Sequence, residues 1–482
     1  MLDPEFYSSA SVLFLRLLGL IYFFAFGAFL FQIRGLIGVN GILPVKTFLS
    51  FLATYHSKKK FFYAPTILWI NQSNFALMTL VIAGCLLSIC LMAGFFPAVC
   101  LLFLYLLYLS LVSAGQDFLG FGWEGFLLEI TAHAFFISLT NVPCLVIWWS
   151  INFLLFRFHF QAGAVKLQSG DASWKNLMAI SYHYQSQPLP NPVAWYAHKL
   201  PLWFQKFSVL MMFFIEMVLP FGIFLSADFR FVTFIGLISL QYGIWLTGNF
   251  SFLNHLTAVL CTILLSNNIL HSFMAPPQNI PPSIYLEGFI NVAGFLLLSV
   301  QCLRLWHIYF PGKFLERFFY WISPLHLANR YGIFAVMTKE RYEVVIEGSD
   351  DAQNWKEYLF RYKPSEVTRR PRRIAPYQPR LDWQAWFLPF TDYTEKWFQN
   401  FLIHLLRGTP DVLSLLRTNP FSQSPPRYIR SLVYEYTFTS AEEKRKNGTW
   451  WKRVLVGEYS PPIYLEKDTK KTSSKGKILT EE

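Results

Sequence analysis

Eight stretches of this chain are apolar over a length that reaches or approaches the thickness of a lipid bilayer, and no other feature constrains its fold as much. They run from Ser11 to Ile33, Phe75 to Phe96, Pro97 to Ala114, Val142 to Leu167, Phe207 to Leu225, Phe229 to Leu246, Phe252 to Leu270 and Phe289 to Phe310. A helix needs about 20 residues to cross ~30 Å of hydrocarbon. Backbone groups in lipid must also satisfy one another, which selects helices for such runs. A ninth run, Phe126 to Leu139, is shorter and is expected to be half-buried. The sequence therefore predicts a polytopic α-helical membrane bundle of eight or nine segments. With 54% hydrophobic and only 15% charged residues among 482, the chain holds more apolar surface than one soluble core would hide. The first run does not read as a cleaved signal peptide, because Asp3 and Glu5 precede it where basic residues belong and no small-residue cleavage site follows.

Ionisable groups inside such runs are costly unless they meet partners or line a cavity. The segment Phe156 to Pro192 carries four polar or charged side chains within its apolar part. On a helix His159 and Lys166 share one stripe with Gly163, while Arg157 and Gln161 form a second beside it. A second constellation precedes it: Gly115-Gln116-Asp117 opens a Gly- and aromatic-rich turn that passes through Glu124 into a segment where Glu129 and His133 share a face four residues apart. Such an acid and histidine pair, bind metal or exchange protons. A metal needs further ligands that the spacing does not place, so no metal or cofactor is assigned. An ion pair across the bundle, Glu129 with Arg157 or with Lys166, is the structural reading. The predicted polar bundle face is Gln116, Asp117, Glu124, Glu129, His133, Arg157, His159, Gln161 and Lys166. Beyond it, His183 and Gln187-Pro188-Leu189-Pro190-Asn191-Pro192 are expected to form an extended lip along the membrane surface, since repeated proline fixes φ and discourages helix.

After Phe310 the chain becomes mixed polar and aromatic. Residues 1–325 read as the multi-pass membrane domain with surface loops at 34–74 and 168–206, residues 326–466 as a separate soluble β-rich C-terminal domain, and residues 467–482 as a disordered basic tail. Strand patterns cover Tyr342 to Ile346, more loosely Glu357 to Tyr362, and Arg427 to Phe438. Helical spacing covers Trp397 to Leu416 and stops near Asn419-Pro420.

The net charge of +12 has two sources. Seven basic residues lie from Arg361 to Arg380, a cluster that attracts anionic lipid or an acidic partner; with no nucleic-acid-reading module in the chain, nucleic acid is not assigned. The other is Lys58-Lys59-Lys60 in the first loop, a weak vote on sidedness, which stays open. All six cysteines lie in or beside apolar runs, so no disulfide framework supports the C-terminal part. Sequons stand at Asn71, Asn249 and Asn447. There is no Gly-rich phosphate loop, no Gly-x-Ser-x-Gly elbow and no His-Glu-x-x-His.

Taken in order, Gly41-Ile42-Leu43-Pro44, the Gly115 to Glu129 turn, Phe156 to Trp174, Tyr182-His183-Tyr184, Leu246-Thr247-Gly248-Asn249-Phe250, Tyr331-Gly332-Ile333-Phe334, Ala375-Pro376-Tyr377-Gln378-Pro379-Arg380 and Trp450-Trp451-Lys452-Arg453 resemble the lipase maturation factor family from Ser11 nearly to Pro462. The resemblance implies an endoplasmic reticulum membrane protein, or an inner-membrane one in a bacterium, that helps secreted lipases fold and assemble and is not itself an enzyme. Its partners would be a secreted lipase or other client and membrane lipids. Client-contact candidates are Arg370, Arg372, Trp383, Trp386, Trp450 and Trp451; core packing is the alternative for the tryptophans. A fainter similarity, Ala162 to Leu167 with Asp171 and Trp174, links the bundle to horizontally transferred transmembrane domains such as vitamin K-dependent γ-glutamyl carboxylase, where the residue matching Lys166 acts as a base. That supplies the rival reading of a membrane enzyme using Lys166 and His159. A transporter or lipid-binding scaffold is the third.

Overall fold

The computed structural model describes residues 3–275, 277–278, 280–465 and 478–480. Among the described residues six helices are long and apolar enough to cross a membrane: α1 (Pro4–Phe31), α2 (Asn74–Ala93), α3 (Pro97–Ala114), α6 (Leu202–Phe224), α7 (Ala227–Thr247) and α9 (Ile284–Tyr309). Between them in sequence lie α4 (Gly122–Ile137), α5 (Leu145–Gln168) and the shorter apolar α8 (Leu253–Leu264). Fewer helices than the expected eight or nine have the length and composition of a span: six of those described. The three runs that fall short do so for separate reasons: α4 has only 16 residues, α5 carries the charged stripe, and the run from Phe252 breaks after Leu264 before the four-residue helix Asn267–Leu270.

Small residues bring the first two helices together. A Cβ on Gly84 would lie 2.5 Å from the Phe26 ring, and one on Gly19 would lie 2.9 Å from the Ser88 carbonyl oxygen, the close approach on which helix pairs in lipid depend. Ser73 caps α2 by accepting from the Ala76 amide at 3.2 Å. In α6 the helix relaxes into a π-turn over Phe214–Val218 and then a 3-10 segment over Leu219–Phe224, a local irregularity of the kind found at working positions.

The C-terminal part holds an antiparallel sheet ordered β2-β1-β3-β4-β5, with β1 (Tyr342–Ser349), β2 (Lys356–Glu357), β3 (Tyr428–Phe438), β4 (Trp451–Leu465) and β5 (Ile478–Thr480). β1 and β3 match the predicted strands, whereas the strand expected from Glu357 to Tyr362 shrinks to two residues. β4, the longest, was hidden by Pro461-Pro462. The pairing runs from Ile429↔Ile463 to Ser431↔Ser460, so β4 spends one more residue than β3 there; that bulge is where a strand tolerates proline. The helix Lys396–Leu406 ends earlier than the periodicity suggested. Of the tail at 467–482, only Ile478–Thr480 falls within the described residues, and there it is a strand.

The C-terminal part does not stand apart from the bundle. One continuous core takes Phe14 and Phe26 from α1 and Leu154 from α5 together with Val344, Trp383 and Phe398. The boundary near residue 326 marks a change in composition, and packing crosses it freely.

Candidate functional site: a charged layer under the C-terminal cap

Buried ion pairs lie in and beside this junction. Glu129 on α4 pairs with Arg157 on α5, both side chains fully buried. The other Glu129 oxygen accepts from the Asn329 amide and side chain, each at 2.8 Å, and from the Tyr331 hydroxyl at 2.6 Å. Arg157 donates onward to the Asn329 carbonyl at 2.7 Å and lies 5.1 Å from the Tyr331 ring. Gln161 accepts from the Tyr331 amide at 3.1 Å. Every acceptor on this carboxylate is occupied, so the cluster sews the segment after the last span into the bundle.

The second pair joins Glu124 to Arg380 at 2.7 Å, with the Tyr108 hydroxyl on the other carboxylate oxygen. Arg380 also donates to the Phe118 carbonyl at 2.7 Å and lies 4.2 Å from the Phe29 ring. Beside it Trp123 donates to Gln378 at 3.0 Å and packs edge-on against Trp383 with centroids 5.0 Å apart. The third pair is Lys166, whose ammonium meets both oxygens of Glu216 at 2.7 and 2.6 Å and lies 5.5 Å from Trp174. Glu216 sits in the π-turn of α6. Of the two partners considered for Glu129, the structure therefore selects Arg157.

His133 contacts the Glu129 carbonyl at 2.8 Å, and its other nitrogen lies 3.0 Å from Ser150 and 2.9 Å from Gln301. It ties α4 to α5 and α9 and does not engage the Glu129 carboxylate. His159 holds the Leu155 carbonyl at 3.0 Å through one nitrogen and leaves the other buried without a partner. Gln116 reaches the Leu43 carbonyl at 3.1 Å in the first loop. Asp117 is exposed, so its place on the polar face is corrected: the turn presents it outward while its neighbours fold in. Among the described residues no group of three His, Cys, Asp or Glu could hold a metal ion.

The lip is not external, contrary to expectation. Gln187 through Asn191 are buried because Arg341, just ahead of β1, lies across them, donating to the Gln187 carbonyl, to Pro188 at 2.9 Å and to Gln185 at 3.0 Å. Glu343 neutralises Arg341 at 2.5 Å and also meets Lys363 at 2.8 Å. Pro190 shares this burial, and His183 stacks on Phe250 at 5.9 Å and meets Phe334 edge-on at 4.8 Å. Asn249 bonds the carbonyls of Leu189 and Arg372 and the amides of Ile374 and Ala375. The segment is a bent link between the helices Ala179–Ser186 and Pro192–Ala197, and its carbonyls serve as acceptors for the C-terminal part.

The four tryptophans offered as client contacts are buried: Trp383 at 4%, Trp386 and Trp450 at 9% and Trp451 at 2% exposure. Trp386 donates to the Ser186 carbonyl at 3.0 Å, and Trp450 packs edge-on against Trp195 at 5.8 Å. Trp386 and Trp450 join the C-terminal part to the segment after α5, Trp383 packs on Trp123 and Phe250, Trp451 packs on Phe438 within the sheet, and the assignment of all four as a free surface is corrected. Arg370 and Arg372 remain exposed. Nearby, a cavity of about 440 Å³ opens between the end of α1 and the cap, lined by Phe31, Gln32, Tyr362, Tyr377, Asp382 and Leu415. Burial pushes the Asp382 carboxyl up to about 6, against the amides of Lys363 and Tyr362 that favour its ionised form.

Glu216, Arg380, Asn329 and Arg341 were absent from the predicted site. Glu216 had a legible signal, a lone acid within the apolar run Phe207 to Leu225. The other three lie in polar sequence, where nothing local marks them as partners of the bundle's charges.

Fold and site together define a multi-pass membrane protein whose charged interior is closed by its own C-terminal part. The lipase maturation factor transmembrane domain matches residues 9–272 and the lipase maturation factor C-terminal domain matches residues 327–461. The chain belongs to the lipase maturation factor family. It is 32% identical to lipase maturation factor 1 of Mus musculus, over 94% of this chain and 87% of that protein. Identity is also 32% to the Homo sapiens protein of that name, over 94% and 88%. Against lipase maturation factor 2 of Xenopus laevis it is 31%, over 92% and 81%. No solved structure matches.

Proposed function

We propose that the protein is a folding and assembly factor for secreted lipases, seated in the endoplasmic reticulum membrane, and that it is not an enzyme. The observation that carries this reading is the extent of the similarity, which runs through both the bundle and the cap of proteins named for lipase maturation. The carboxylase-like and transporter readings gain no support from these relatives. Lys166, the residue an enzyme would use as a base, is held by both oxygens of Glu216. A client surface is better sought on the outside of the cap, at exposed Arg370 and Arg372 and along β4, where Val454, Leu455 and Val456 are all more than half exposed. Apolar surface of that kind holds an incompletely folded chain.

The test is complementation. In cells lacking their own maturation factors, this chain is expected to restore the activity of a secreted dimeric lipase per unit of secreted lipase protein; equal specific activity with and without it would remove the proposal. The compartment has its own readout. With the cap in the lumen, exposed Asn447 should carry an endoglycosidase-sensitive glycan, while Asn249, buried and bonded on both sides of its amide, should carry none. An unmodified Asn447 in a glycosylating cell would place the cap on the other side.

A further inference from the structure

The helix after the last span, α10 (Lys313–Ile322), has no part in the charged layer. It begins just beyond α9 and folds back on it: Phe319 is buried with the Arg304 guanidinium 3.6 Å from its ring and His307 stacked at 5.6 Å. The opposite face is open. Phe314 is 81% exposed and Trp321 46%, and Phe310 and Trp306 at the end of α9 are each 58% exposed.

A second segment, distant in sequence, completes this surface. The short helix Lys60–Tyr63 brings Phe62 to 4.7 Å from Trp321, and its Tyr63 hydroxyl lies 2.7 Å from that of Tyr320. Lys59 sits 5.6 Å from the Trp321 ring and Lys60 5.0 Å from Phe61. Residues 45–70 and 310–325 together hold six basic side chains (Lys46, Lys58, Lys59, Lys60, Lys313, Arg317) and one acid, Glu316. Open aromatic rings ringed by lysine, at the end of a membrane-length helix, suit a bilayer interface, where rings settle at headgroup level and ammonium groups reach the phosphates. An amphipathic helix lying flat there gains from both its apolar area and its positive charge.

We propose that α10 and the Lys58–Tyr63 segment form one platform lying in the membrane interface that binds anionic phospholipid, with Phe314 and Trp321 beside the carbonyl ends of the acyl chains and Lys58, Lys59, Lys313 and Arg317 on the headgroups. The surface is independent of the client assignment. The test uses the full chain reconstituted in phosphatidylcholine vesicles containing a trace of phosphatidylserine or, separately, phosphatidylcholine with a diazirine near the carbonyl end of one acyl chain. After irradiation, adducts on peptides covering 58–63 and 313–322 are counted relative to adducts on α9, which serves as the internal control. The phosphatidylserine probe should label both segments several-fold more than the phosphatidylcholine probe. That excess should disappear when Lys58, Lys59, Lys60, Lys313 and Arg317 are changed to Gln. Labelled α9 with both segments unlabelled would overturn the platform, and equal labelling by the two probes would overturn its anionic preference. The comparison of probes on the unaltered chain decides the matter even if the fivefold variant fails to fold.

Discussion

Arg157→Met is expected to lower stability by about 3–5 kcal/mol, the usual result of stranding one member of a buried ion pair. Glu129 would keep its bonds from Asn329 and Tyr331 but lose the cation that pairs with it. The loss should appear as a large fall in the thermal unfolding midpoint of the purified protein and in its yield from the membrane. Adding Glu129→Gln should recover part of it, since the amide oxygen still accepts from the Asn329 and Tyr331 donors while no buried charge remains. An Arg157→Met protein with an unchanged midpoint would mean that the pair contributes nothing to the closed state.

The second large effect concerns the cap. Arg380→Met removes the cation from Glu124 and the donor from the Phe118 carbonyl, again worth about 3–5 kcal/mol. Here the damage should be local in character: limited proteolysis is expected to open the region after residue 326 well before the membrane helices are affected, because the contact is one of the seams between them. A cycle with Glu124→Gln would isolate the pair, and the double variant should be more stable than the sum of the singles predicts. If protease attacks bundle and cap in parallel, the two behave as one cooperative unit and the seam has no separate strength.

Much of the bundle was legible because lipid is an unforgiving solvent. Arg157, His159 and Lys166 stood out in an apolar run, and the structure gives each a place in the interior. Their partners were less legible. Asn329 is 200 residues from Glu129 and Arg380 is 256 from Glu124, and no local pattern encodes a contact at such distance. Tryptophan misled for a different reason, since the same ring with its polar edge serves a core or an interface equally well. Trp383 and Trp386 had both basic neighbours and an amphipathic setting, and only the third dimension shows them facing inward. At Pro188 and Pro190 proline keeps the chain out of the helices on either side, Ala179–Ser186 and Pro192–Ala197, but backbone stiffness says nothing about what lies on top. At Pro461-Pro462 it concealed a strand, because a bulge against β3 supplies the exception to the rule that proline ends pairing.

The distance from Glu124 to Arg380 also sets a schedule. Ribosomes add roughly 5–20 residues per second, so with 256 residues between the two the carboxylate is synthesised roughly ten to fifty seconds before its arginine exists. Glu129 waits in the same way for Asn329 and Tyr331. A nascent bundle therefore passes through a long interval as an orphan, with acids already in place and their counterparts still unsynthesised. A premature stop anywhere before residue 380 would leave it in that condition permanently, so truncations that spare every membrane helix should still be disposed of as incomplete membrane proteins.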